Sequence, residues 1–186
     1  MSYVAGVCVD NTEVTEGQYR EFLAAKNGDT SGQPPQCDFN DSWQIPSEFT
    51  PVNEPRRGVD WCDARGYCEW AGKRICAPIG SPWIRPAPAP HELGQVCFAL
   101  FGTTTHEECR GYIGPAGTRP LCTGAPPNDQ VFDIMGNVDE WVGCFDIDSC
   151  MTVGGVGPFR CDASQMRRAI DYRSSLVGIR CCADPQ

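Results

Sequence analysis

Apolar positions in this chain fall in short clusters, separated by polar stretches rich in Gly and Pro. Val4 to Val9 alternates weakly and predicts a strand. Thr15-Glu16-Gly17-Gln18 predicts a capping box, in which the Thr15 hydroxyl and the Gln18 amide each satisfy an N–H left unpaired at a helix start. Tyr19, Phe22 and Leu23 follow at i, i+3 and i+4 as one apolar face, and Asn27-Gly28 supplies a left-handed stop. Asp60 predicts the N-cap of a second helix, with Asp63 complementing its dipole. Trp61, Ala64, Cys68 and Ala71 share a face of that helix, and Gly72 ends it. At 3.6 residues per turn, Cys62 and Cys68 project about 120° apart, so each needs a partner elsewhere. The stretch Leu176 to Cys182 predicts a terminal strand. Its neighbours Cys181 and Cys182 face opposite sides and are expected to reach different partners.

Between these elements the pattern is irregular. Residues 29–58 read as a long loop packed through the single anchors Phe39, Trp43 and Phe49. Five prolines from Pro78 to Pro90 exclude a helix and most strand pairing there. Residues 91–130 read as loops with one short helix around Leu93 to Phe101, and Val131 to Trp141 is the last distinct block before the terminal strand. No long-period repeat occurs, so a solenoid is not indicated.

Length and charge narrow the function classes. The 186 residues fit a single domain, 1–186. A net charge of -9 leaves no basic face for nucleic acid and no polybasic membrane patch. The longest apolar run, Val96 to Phe101, is far short of the roughly 20 residues a membrane span needs.

Leu, Ile, Val and Phe supply only 35 residues, a thin aliphatic core, against 13 Cys. That balance predicts a disulfide-stapled extracytoplasmic domain, secreted or at the cell surface. The competing reading is a cytosolic metal protein, which the lack of any C-x-x-C pair disfavours. Met1 to Gly6 has neither a basic nor an apolar signal region, so the secreted reading takes the leader as removed. With an odd count, at least one thiol is free, bound to something else, or joined to another chain.

Four blocks, in order, resemble the formylglycine-generating enzyme (sulfatase-modifying factor) family. They are Val9-Asp10-Asn11-Thr12-Glu13-Val14-Thr15 with Tyr19 and Phe22; Gly58 to Ala64 continuing through Tyr67-Cys68-Glu69-Trp70-Ala71-Gly72-Lys73-Arg74; Phe132-Asp133-Ile134-Met135-Gly136-Asn137-Val138-Asp139-Glu140-Trp141; and Val177-Gly178-Ile179-Arg180-Cys181. The second and third are specific; the first and last are weak alone. The resemblance implies an α+β domain of the C-type-lectin-like type with two main helices, short twisted strands and high loop content. The cysteine density resembles a cysteine-rich secreted branch of the family found in bacteria.

The resemblance also implies metal chemistry. Its enzymes hold Cu(I) between two cysteines near a Gly-Gly-Ser segment. Here Gly154-Gly155 is followed by Val156, Cys161 lies near the first cysteine position, and Ala163-Ser164-Gln165-Met166 stands where the second belongs. Asp139 replaces a tryptophan of the family's oxygen pocket. The matching calcium positions are Asp133 and Glu140 with the carbonyls of Gly136 and Val138; the reading without metal makes the two acids braces of a turn.

Other candidates are thin. His91 and His106 lack a zinc-protease context. Cys144 and Cys150 can close a small loop presenting Asp146 and Asp148, read as a solvated tip. Arg160, Arg167, Arg168, Arg173 and Arg180 read as internal partners of the acidic remainder.

The leading expectation is therefore a secreted, calcium-stabilised binding or surface-assembly module that has lost the copper site. Loops 78–130 and 143–170 are its expected surface for a protein or glycan partner. The alternative is an atypical copper-dependent oxidase of a protein cysteine, forming formylglycine with Cys161 as catalytic residue. A third is a structural subunit linked through the odd cysteine.

Overall fold

The protein is described here by a computed structural model covering residues 1–44, 50–76, 96–97, 100, 109, 113–120, 122–124, 126–144, 146–154 and 166–185. Helix α1 (Glu16–Lys26) starts from Thr15, whose Oγ1 accepts from the Gln18 N–H at 3.3 Å, while Gln18 Oε1 accepts from the Thr15 N–H at 2.9 Å. It stops at Asn27, in the left-handed region with φ 47°. Helix α2 (Trp61–Trp70) starts from a second reciprocal box: the Asp63 N–H donates to Asp60 Oδ1 at 2.9 Å and the Asp60 N–H to Asp63 Oδ2 at 3.1 Å. Asp63 is thus a capping partner as well as a dipole charge. The two helices meet through Tyr19, Phe22, Tyr67 and Trp70.

Eight short strands follow in chain order: β1 (Ser2–Val4), β2 (Val7–Val9), β3 (Arg74–Ile75), β4 (Asp139–Cys144), β5 (Ser149–Gly154), β6 (Met166–Ala169), β7 (Val177–Gly178) and β8 (Cys181–Ala183). They form two sheets, ordered β1-β2-β8-β3 and β6-β5-β4-β7. All pairings are antiparallel except β4 with β7.

Two strand expectations need correction. Val4 to Val9 is a hairpin, because Ala5 (φ 51°) and Gly6 (φ 91°) turn the chain between β1 and β2. Leu176 to Cys182 is not one strand either: Val177 and Gly178 pair with β4, and the chain then crosses to the other sheet. The residues in transit, Ile179 and Arg180, are wholly buried.

One core cluster packs the helices against Trp141, Val177 and Ile179; the second packs the first sheet against Val131, Ile134, Met135, Val142, Met151 and Val153. Five disulfides join described residues: Cys37–Cys62, Cys68–Cys181, Cys76–Cys182, Cys109–Cys122 and Cys144–Cys150. Cys181 and Cys182 do reach different partners, and Cys62 and Cys68 pair outside their helix. Cys97 is also disulfide-bonded, and Cys8 is the free cysteine among the described residues.

In the 29–58 loop Trp43 is the buried anchor, Phe39 is exposed, and Phe49 lies outside the described residues. The proline run 78–90, most of the helix expected near 93–101, both histidines, Arg160 and Cys161 lie outside them too. Among the described residues, no helix is long and apolar enough to cross a membrane.

Candidate functional site

The block Phe132 to Trp141 enters β4 through a tight turn with Asp133 (φ 57°), Gly136 (φ 106°) and Asn137 (φ 57°) all left-handed. Gly136 is required there, since a Cβ would stand 2.1 Å from the Cys109 carbonyl oxygen. The turn is pinned from outside by backbone donors: the Gly117 N–H to Asp133 Oδ2 at 2.8 Å and the Gly114 N–H to Asn137 Oδ1 at 3.0 Å.

Glu140 follows on β4 and is buried. Its Oε1 accepts from Arg180 Nε at 2.6 Å, whereas Oε2 has no hydrogen-bond partner. Asp133 Oδ1 is likewise buried and unpartnered.

Opposite this strand, Gly154 on β5 pairs with Asp139 and has φ 90°. The position a Cβ would occupy on Gly154 lies 3.3 Å from Ile134 O, 3.5 Å from Val138 O and 3.8 Å from Glu140 Oε2. Three oxygens, one of them an orphaned carboxylate oxygen, thus bound the space a side chain would fill. The absence of a Cβ is what keeps that space open.

Arg180 is a wholly buried guanidinium at the centre of this region. Besides Glu140 it donates to the carbonyls of Asp10 and Phe132, both at 2.8 Å, and Glu13 Oε2 lies 3.9 Å away. Both oxygens of wholly buried Glu13 lack a hydrogen-bond partner. Burial pushes the Glu13 carboxyl up to about 8, with Arg180 opposing and Asp133 and Glu140 reinforcing the shift. Burial likewise raises Glu140 to about 7, Asp139 to about 6, and Asp133 above its ordinary range. Glu13, Glu140 and Asp133 share the Arg180 guanidinium, while Arg119 also acts on Asp133 and Arg168 on Asp139. In so dry an interior full ionisation of the cluster is costly, and burial favours the protonated acids.

The structure therefore brings Val138 O and Glu140 to one space beside Gly154, with Asp133 Oδ1 orphaned in the same turn. Gly136 shapes that turn against Cys109. No three His, Cys, Asp or Glu side chains form a metal cluster among the described residues, so a cation here depends on carbonyl oxygens as well. An all-oxygen set of carboxylates and carbonyls suits a hard cation such as Ca²⁺. Among the described residues the free thiol, Cys8, sits on β2 in the other sheet, and Cys161 lies outside them.

The sequence reads Arg180 as an internal partner of acidic residues, which its pairing with Glu140 and Glu13 bears out, but does not place it or Glu13 at this site. Both stood in the two weakest blocks, and no spacing rule links residues so far apart in the chain.

The Sulfatase-modifying factor enzyme 1-like domain matches residues 2–93. The formylglycine-generating enzyme of Thermomonospora curvata is 32% identical over 101 residues, 48% of this chain and 33% of that protein. The enzyme of Mus musculus is 32% identical over the same length, 27% of its own chain. This chain thus spans about a third or less of the curated relatives it matches. PvdO from Pseudomonas aeruginosa shares the fold with a TM-score of 0.58 at 18% identity, covering 96% of this chain and 80% of that one. The chain belongs to the formylglycine-generating enzyme, or sulfatase-modifying factor, family and has its α+β fold.

Proposed function

We propose that the chain is a secreted, disulfide-locked, calcium-stabilised binding or surface-assembly module of C-type-lectin-like architecture that has left the copper chemistry of its relatives behind. The observation that carries this reading is the pair of orphaned, buried carboxylate oxygens, Asp133 Oδ1 and Glu140 Oε2, in a turn whose carbonyls also face the space at Gly154. Asp133, Glu140 and the carbonyls of Gly136 and Val138 would hold the ion. Bound calcium would add positive charge to this acidic pocket and tie the 133–140 turn to β5.

Loss of the oxidase site is supported by the sequence at Gly154-Gly155-Val156, by Asp139, and by the capture of cysteines in disulfides. Protein or glycan partners are assigned to 78–130 and 143–170. The second range, read from sequence as a loop, holds the paired strands β5 and β6, and the burial of β5 leaves its connecting segments and β6 for a partner. Alkylation of the native protein without reductant, read by intact mass, separates this from a copper-dependent oxidase using Cys161. One modified thiol per chain is expected; three or more would restore a thiol pair for Cu(I) and overturn the module reading.

A further inference from the structure

A cleft of about 270 Å³ opens between the end of α1, the 29–43 segment and α2, lined by residues that belong to neither the β4–β5 site nor the loops assigned above. One wall is aromatic. Trp70, in the last turn of α2, is 40% exposed, which is unusual for tryptophan. Its ring is braced from behind by Phe22 and Tyr67, with centroids 5.6 and 5.7 Å away, so it is a fixed plane rather than a loose side chain.

Trp43 forms the inner wall and lies flat on α2 because residue 66 is glycine; a Cβ there would be 2.6 Å from its ring atoms. Its Nε1 donates to Asp29 O at 2.7 Å, and the Cys37–Cys62 disulfide ties the segment to the helix. The cleft is preformed, which lowers the entropy cost of filling it.

Its polar groups are only partly used. Arg65 directs Nε and Nη2 onto one oxygen of Glu69, at 2.8 and 2.7 Å, leaving Glu69 Oε2 without a partner among the described residues. Lys26 lies 5.8 Å from the Trp43 ring centroid and makes no ion pair among the described residues. An aromatic plane flanked by a carboxylate and donor-bearing cations matches a sugar ring, which offers a C–H face for stacking and hydroxyls that both donate and accept. Among the lining residues Arg65 and Lys26 outnumber Glu69, while Asp29, whose charge Lys26 also feels, is held by the Ser31 N–H at 2.9 Å. In a chain of net charge -9 this lining balance favours an anionic ligand.

We propose that this cleft binds an acidic saccharide, a pyranose carrying a carboxylate, with Trp70 as the stacking plane and Lys26 as the carboxylate's partner. The experiment titrates the full chain with trigalacturonate, followed by tryptophan fluorescence and calorimetry, with maltotriose and triglutamate as neutral and peptide controls. The expected result is saturable binding of trigalacturonate with Kd of about 1 mM or below, roughly tenfold weaker for Trp70→Ala and for Lys26→Gln. Both positions are on the surface, and circular dichroism checks that the variants fold. Absence of saturation by about 10 mM, unchanged affinity in Trp70→Ala, or equal binding of maltotriose or triglutamate would overturn the assignment. None of these readouts depends on calcium, so the cleft and the β4–β5 site stand or fall separately.

Discussion

Trp61 and Trp141 anchor each other's chain neighbours: Trp61 Nε1 donates to Val142 O, and Trp141 Nε1 donates to Val59 O, both at 2.9 Å. The exchange fixes the start of α2 against β4, the strand that carries Glu140. Trp141→Phe keeps most of the ring but leaves the Val59 carbonyl without this donor in a buried position, at a cost of about 1 to 3 kcal/mol. Denaturant unfolding should show the midpoint falling with the slope unchanged. A midpoint equal to that of the parent protein would remove the bond from the account of how β4 is held.

Glu13 makes stability depend on pH in a definite direction. Its carboxyl is pushed from 4.5 to about 8 by burial, so the folded chain keeps a proton that the unfolded chain releases. This contribution is complete below about pH 4.5 and is lost as pH rises through about 8. In EDTA, the melting temperature should therefore fall between pH 5 and pH 9. Glu13→Gln keeps the neutral form at every pH and should flatten that slope, being more stable than the parent at pH 9. A variant with the parent's slope would mean Glu13 is not the titrating group.

Both helices were readable in the sequence because each start is a local reciprocal box, at Thr15 with Gln18 and at Asp60 with Asp63, closed within four residues. The opposite faces of Cys181 and Cys182 followed from strand geometry alone. The strands were harder: β3 and β7 are two residues long, too short for alternation to register, and the turn at Ala5-Gly6 rests on a left-handed alanine that composition does not announce. At the site, Asp133 and Glu140 stood in one contiguous block. Glu13 and Arg180 come together only when the chain crosses between sheets after Gly178, and Gly154 matters for the side chain it lacks.

The two disulfides ending at Cys181 and Cys182 constrain the chain unequally. Both close loops of more than a hundred residues, with sequence separations of 113 and 106. With Cys76–Cys182 intact, Cys68–Cys181 adds only a small ring, so removing it alone should cost about 2.5 kcal/mol by loop entropy. Removing both opens the long loop and should cost about 7 kcal/mol by the same reckoning. Comparing paired Cys→Ala variants in denaturant tests this. Equal losses for the single and double removals would contradict it.

Gly154→Ala puts a methyl group into the space bounded by Ile134 O, Val138 O and Glu140 Oε2, at a backbone φ of 90°. In EDTA the variant should lose about 1 to 2 kcal/mol from the left-handed conformation alone. Its response to calcium should be abolished, because the methyl occupies the space the ion needs. A variant that is destabilised yet still responds fully to calcium would move the ion elsewhere.

The most direct measurement is the melting temperature of the oxidised chain in EDTA and in about 10 mM calcium, for the parent and for Glu140→Gln. With affinity in the range of extracellular calcium modules, the parent should gain about 5 °C or more. Glu140→Gln should gain almost nothing, having lost one of its charged oxygen ligands. A parent melting temperature unchanged by calcium, or an equal gain in Glu140→Gln, would contradict a calcium-stabilised module built on the 133–140 turn.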